Sequence, residues 1–139
     1  MGNRVIHFNI QMDNAERAIQ FYKKAFGWDI KQVMTKKESG MMDYWLIMTG
    51  EGLGIDGGMS LRPQEKEDRV YRLSFTVGVK DMDKTLKDVK ANGGSVTMDK
   101  NELSGVGFFA TIKDTEGNRL DLMQPANPDS RTNRPKFKK

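Results

Sequence analysis

The chain has no cysteine. That absence excludes disulfides, thiolate zinc sites and a cysteine nucleophile, and it fits a reducing compartment such as the cytoplasm. No apolar run approaches membrane-spanning length, and the first residues lack the apolar stretch of a secretory signal. The expected setting is therefore cytoplasmic, without a membrane partner. Proline is scarce, with four in the chain, and Pro125, Pro128 and Pro135 all fall near the end. Histidine is scarcer still: His7 stands alone. A strong charge imbalance is also missing from the body. The formal net charge of +4 is carried by Arg131, Arg134, Lys136, Lys138 and Lys139 against Asp129, and the rest is balanced. A basic groove for nucleic acid is thus not expected, and Phe137 alone gives the tail no stacking platform. At 139 residues the chain suits one domain with a real core. The expectation is a single domain over residues 1–124 and a basic flexible tail over 125–139.

What is present is patterned. Arg4 to Met12 alternates as a strand, with Val5, His7, Asn9 and Gln11 on one face and Ile6, Phe8, Ile10 and Met12 on the other. Asn14 is a candidate N-cap. Ala15, Ala18, Ile19, Tyr22, Ala25 and Phe26 then recur at helical spacing until Gly27. Strands are predicted over 28–35 and 41–49, with a Gly-rich strand within 53–61, and a charged connection over 62–69. A strand over 70–79 follows, then Asp81 as an N-cap, a helix carrying Met82, Leu86 and Val89, and a stop at Gly93-Gly94. A short strand over 95–99, a polar loop over 100–104 and a hairpin over 105–124 complete the body. In that hairpin Asp114-Thr115-Glu116-Gly117-Asn118 forms the turn. Leu120, Leu122 and Gln124 take one face of the returning strand, and Arg119, Asp121 and Met123 the other.

The two halves read alike. Laying Ile6 on Leu73 also lays Phe8 on Phe75, Ile10 on Val77, Asn14 on Asp81, Ile19 on Leu86, Lys23 on Lys90 and Gly27 on Gly94. Apolar phase, helix caps and helix stops coincide. The expected fold is α+β, with two paired βαβββ modules over about 4–61 and 70–124 forming a curved-sheet cup. A concave, partly apolar cavity of that kind is the default small-molecule site.

Gly52-Leu-Gly54-Ile-Asp-Gly57 matches the letters of a dinucleotide fingerprint, but Gly58-Met-Ser-Leu-Arg-Pro63 does not begin a helix, so the phosphate-binding geometry is not expected. The glycines instead leave room for a ligand or for close sheet contact. Tyr44 and Trp45 point to opposite faces of their strand, as do Phe108 and Phe109. The ten methionines suit an adaptable apolar surface.

Val-Ile-His-Phe-Asn-Ile, the helix ending in Phe-Gly-Trp and the closing Asp-Thr-Glu-Gly-Asn-Arg-Leu-Asp-Leu-Met-Gln together resemble the vicinal oxygen chelate superfamily of glyoxalases, bleomycin-resistance proteins and dioxygenases. The resemblance implies a divalent metal held on inward-facing positions of the first and last strands of each module. Those positions map to His7, Ser74 and Asp121, with Asp56 the nearest carboxylate for the fourth. A His7, Asp56 and Asp121 set implies Zn²⁺, Ni²⁺ or Mn²⁺ completed by water. An extradiol iron site needs two histidines and is not expected. His7, Ser74, Trp45 and Phe109 are the expected ligand-cup residues, and Asp121 is the candidate catalytic carboxylate. The leading expectation is a small-molecule-binding protein with an incomplete metal site. The alternatives are a metal-dependent lyase or isomerase and a non-catalytic interaction domain. The resemblance also implies a homodimer.

Overall fold

The computed structural model describes residues 2–63 and 73–127. The predicted connection at 64–69, the start of the predicted strand at 70–72 and the tail from 128 onward lie outside the described residues. The described residues fall into two compact units, one holding residues 7–63 with Leu73, the other residues 2–6 with 74–127.

Module 1, which the first unit holds from His7 onward, contains β1 (Val5–Met12), α1 (Ala15–Phe26), β2 (Asp29–Met34), the helical turn α2 (Lys36–Ser39), β3 (Tyr44–Met48) and β4 (Gly57–Leu61). Its strands lie in the order β2-β3-β4-β1, with β4 parallel to β1. Helix α1 starts where the Asn14 side chain accepts a hydrogen bond from the Arg17 backbone, and ends where Gly27 takes a left-handed φ of 73°. Alternation in β1 sends Phe8, Ile10 and Met12 beneath α1, where they meet Trp45, Ile47 and Met59. Ala15, Ala18, Ile19, Tyr22 and Trp28 close that core, with Tyr22 and Trp28 stacked at 5.1 Å. Ile47 and Met59 are fully buried, each contributing about 1.5–3 kcal/mol of transfer free energy.

The second unit, module 2, contains β5 (Ser74–Gly78), α3 (Met82–Ala91), β6 (Ser95–Leu103), β7 (Gly107–Lys113) and β8 (Arg119–Pro125). Its order is β5-β8-β7-β6, with β8 parallel to β5. Asp81 caps α3 by accepting from the Lys84 backbone. Val79, Met82, Leu86, Ala110, Ile112 and Leu122 form the core under this helix. Gln124, at the end of β8, accepts from the Met82 backbone in the first turn of α3. The closing turn is held by Asp114, which accepts from the Glu116 and Asn118 backbones.

The duplicated α+β architecture of the sequence reading is therefore present, with one βαβββ module per unit. Two boundaries differ. The predicted loop at 100–104 belongs largely to β6, which runs to Leu103 and pairs Asn101 with Phe109 and Glu102 with Phe108. Exposed, charged side chains and two register shifts disguise this edge strand as a loop. At the other end, β8 includes Pro125, which is buried opposite Gly107, and the Ala126 backbone donates to the Val106 carbonyl. The ordered body thus continues past residue 124. A proline is tolerated there because the ladder ends with it.

Candidate functional site

In each module the strands have one face under the helix and one face free of it. Register assigns the side chains. In module 1, β1 pairs Asn9 with Gly58, and β3 pairs Leu46 with Gly58 and Tyr44 with Ser60. The helix-free face thus carries His7, Asn9 and Gln11 from β1, Tyr44, Leu46 and Met48 from β3, and Gly58 and Ser60 from β4, with Asp56 just before it. In module 2, Asp121 pairs with Thr76 on one side and Thr111 on the other. Its helix-free face carries Ser74, Thr76, Phe109, Thr111, Arg119, Asp121 and Met123.

His7 is half-buried, and its Nε2 shares a hydrogen bond of 2.8 Å with the Tyr44 hydroxyl. Tyr44 reaches it by lying over Gly58. A Cβ on Gly58 would collide with the Tyr44 ring tip and stand 2.9 Å from His7 Nε2. The glycine is therefore required for this pair to form. Burial lowers the His7 pKa below its usual value, and the Asp56 charge opposes that shift more weakly. Asp56 is buried, at 4% exposure. Its Oδ1 accepts from the Thr49 backbone at 2.9 Å and from the Thr49 hydroxyl at 3.2 Å. Its Oδ2 is buried with no hydrogen-bond partner.

In module 2, Asp121 Oδ1 accepts from the Thr111 hydroxyl at 2.9 Å. Burial raises the Asp121 pKa above the usual carboxylate value, opposed by that hydrogen bond and by the Arg119 charge. Arg119 Nε is buried with no hydrogen-bond partner. A buried polar atom left unpaired costs about 1–3 kcal/mol, so such atoms mark places where a partner is due.

These placements sort the sequence-based candidates. The structure brings His7 and Asp56 together in module 1. It brings Asp121, Ser74 and Phe109 onto one sheet face in module 2. Trp45 goes elsewhere than expected: it is 9% exposed, opposite Met59 and packed with Ile10 and Met12 under α1. The residue facing the site is its neighbour Tyr44, which the sequence reading puts on the face opposite the cup. Tyr44, Leu46 and Met48 are as apolar as Trp45 and Ile47, so polarity alone gave no phase. The expected counterpart of Asp121 also changes. Asn9 aligns with Thr76 in the duplication, and their register partners are Gly58 and Asp121. Gly58, not Asp56, occupies the equivalent place. Asp56 stands two residues earlier, equivalent to Arg119. The glycine pair hid this register. Thr111 and Arg119 were also missed as a hydroxyl and a cation flanking a strand carboxylate.

The geometry defines an α+β protein of two βαβββ modules, each with a polar cluster on its helix-free face. The sequence profile of the Glyoxalase/Bleomycin resistance protein/Dioxygenase superfamily matches residues 4–122, and the chain belongs to that family. It is 25% identical to a probable lactoylglutathione lyase from Vibrio parahaemolyticus over 129 residues, covering 88% of this chain and 91% of the relative. A probable lactoylglutathione lyase from Vibrio cholerae is also 25% identical, with the same coverage of both chains. Among solved structures, methylmalonyl-CoA epimerase from Mycobacterium tuberculosis superimposes with a TM-score of 0.66 at 15% identity, covering 88% of each chain. A hypothetical protein from Bacillus halodurans C-125 does so with a TM-score of 0.69 at 12% identity, covering 94% of this chain and 99% of that one. These structural likenesses concern the fold.

The divalent metal implied by the resemblance fits module 1 poorly. His7 Nε2 is engaged by Tyr44, one Asp56 oxygen is engaged by Thr49, and the last-strand position is a glycine. Two donors of which one is already committed fall short of the three protein ligands that divalent catalytic sites use. Among the described residues, no group of three His, Asp or Glu side chains is arranged to hold a metal ion.

Proposed function

We propose that this protein binds small polar molecules on the helix-free face of each module. One observation carries the reading: each module buries an unpartnered polar atom at the equivalent position, Asp56 Oδ2 in one and Arg119 Nε in the other. The first is an acceptor and the second a donor, so the module 1 face calls for a hydrogen-bond donor on its ligand and the module 2 face for an acceptor. Leu46 and Met48 on the module 1 face, and Phe109 on the module 2 face, suit a ligand with a hydrocarbon or thioether portion. The relatives' names point to thioesters such as S-lactoylglutathione and methylmalonyl-CoA as first probes.

The test is thermal denaturation of the wild-type protein with these thioesters and with a broad metabolite library. Ligand at about one hundred times its Kd stabilises by about 2.7 kcal/mol, which raises the midpoint by several degrees. Loss of the shift in Asp56→Asn for a module 1 ligand, or in Arg119→Gln for a module 2 ligand, supports the reading. A library without a single stabilising compound sinks it.

A second reading, lyase or isomerase chemistry, is favoured by Asp121. A half-buried carboxylate with a raised pKa, oriented by a hydroxyl, suits proton transfer to or from a carbon beside a carbonyl. Turnover of a thioester by wild type and its loss in Asp121→Asn distinguishes catalysis from binding. Assembly as a homodimer belongs to the same family-based reading. Exposed Phe21, Phe26 and Val33 on module 1 give such an assembly apolar surface to cover. Light scattering after size exclusion measures it.

A further inference from the structure

We propose that the Tyr44–His7 pair has replaced the metal-ligating arrangement of module 1, so that this module holds its ligand by a phenol and an imidazole and takes no metal at His7. Three observations converge. The place equivalent to Asp121 is Gly58, which offers no side-chain donor. Tyr44 lies across that same glycine and would collide with any Cβ there, so a ligating side chain at 58 and Tyr44 in its present pose exclude one another. The Tyr44 hydroxyl takes the 2.8 Å hydrogen bond to Nε2, the ring nitrogen it would have to surrender to a cation. The equivalent residue of module 2 is Phe109, which has no hydroxyl, and there Asp121 is present. Loss of the last-strand carboxylate and presence of a hydroxyl over the vacated position thus occur together in one module and in neither part in the other.

The exchange changes the chemistry the module can offer. A divalent cation polarises a ligand oxygen as a Lewis acid. A phenol and an imidazole instead present a directional hydrogen-bond donor and acceptor, suited to a hydroxyl, carbonyl or carboxylate of the ligand. The ligand part of this inference rests on the small-molecule reading above; the metal part stands apart from it and is tested without any ligand.

Because His7 is the sole histidine, its imidazole resonances are assigned without ambiguity in the full-length protein. The probe is Zn²⁺ alone, added to equimolar concentration and followed by NMR of the imidazole and by metal analysis after desalting. The wild-type imidazole is expected to stay unshifted, and the protein to emerge without bound zinc. The double variant Tyr44→Ala with Gly58→Asp reopens the position, and zinc is expected to move the His7 resonances and remain after desalting. Stoichiometric zinc on the wild-type protein, lost in His7→Ala, overturns the proposal. The wild-type titration decides this even if the double variant fails to fold. A folded double variant whose imidazole ignores zinc also counts against it, because the glycine and tyrosine would then not be what excludes the metal.

Discussion

The two modules share a backbone plan and differ in what fills the middle of the last strand. Module 1 has Gly57-Gly58 there, and side chains from neighbouring strands occupy the vacated space: Phe8 over Gly57, Tyr44 over Gly58. Module 2 has Leu120-Asp121 at the equivalent places, and its own side chains do the filling. The counterpart of Phe8 is Phe75, which is 41% exposed, because Leu120 already provides the apolar volume its ring would supply. The counterpart of Tyr44 is Phe109, which cannot bring a hydroxyl to the sheet face. The difference shows how one fold keeps its core while exchanging a carboxylate for a phenol. The polar face changes by moving volume between strands rather than by altering topology.

The largest expected effect comes from forcing module 1 toward the module 2 pattern. A Cβ on Gly57 would come within 2.5 Å of the Phe8 ring, which packs against Trp28 at 5.7 Å. Gly57→Leu is expected to destabilise the protein by about 1–3 kcal/mol in urea unfolding, through overpacking. Combining it with Phe8→Ala should recover part of that loss, whereas additive losses would mean that the two positions do not share a volume.

The modules also differ in the sign of their pH dependence. His7 has a lowered pKa, so the unfolded chain binds more protons just below pH 6.5. Its contribution to stability is present above that value and is lost as pH falls through the folded pKa. Asp121 has a raised pKa, so the folded chain binds more protons above pH 3.8. Its contribution is present below that value and is lost as pH rises through the folded pKa. His7→Gln should flatten the mildly acidic arm of a stability–pH curve. Asp121→Asn should raise stability at neutral pH relative to acid. Identical curves for wild type and either variant would contradict the corresponding shift.

Where the modules agree, their variants should agree too. Asn14→Ala and Asp81→Ala each remove a side-chain cap at the start of a helix and should each cost about 1 kcal/mol. A marked inequality between them would break the symmetry at the one feature the halves share most closely. The smallest effect is expected from the exposed Lys84–Asp88 pair of α3, where Lys84→Ala should cost about 0.3–0.5 kcal/mol and less in high salt.

Much of the fold was legible because its signals are local. Asn14, Gly27 and Asp81 punctuate the helices, and Phe8, Ile10, Val77 and Leu122 keep a strict period. The edge strand β6 was misread from Lys100 onward because its polar residues satisfy an exposed edge and not a core. The candidate site was legible only in part. His7 and Asp121 stand out as polar residues at alternating positions of apolar strands. Tyr44 and Gly58 do not, because their roles arise from register between β3, β4 and β1, which two adjacent glycines leave blank. Trp45 was placed on the wrong face for the same reason: its strand is apolar on both faces, and size is no guide to direction. Arg119 Nε and Asp56 Oδ2 become informative only once burial and hydrogen-bond partners are known.

The central claim is that the Tyr44 hydroxyl holds His7 Nε2. Nitrogen NMR of the single imidazole in wild type and Tyr44→Phe tests it most directly. The account predicts that removing the hydroxyl shifts the Nε2 resonance and alters the tautomer balance, with the far-UV spectrum unchanged. An Nε2 resonance identical in the two proteins would contradict it.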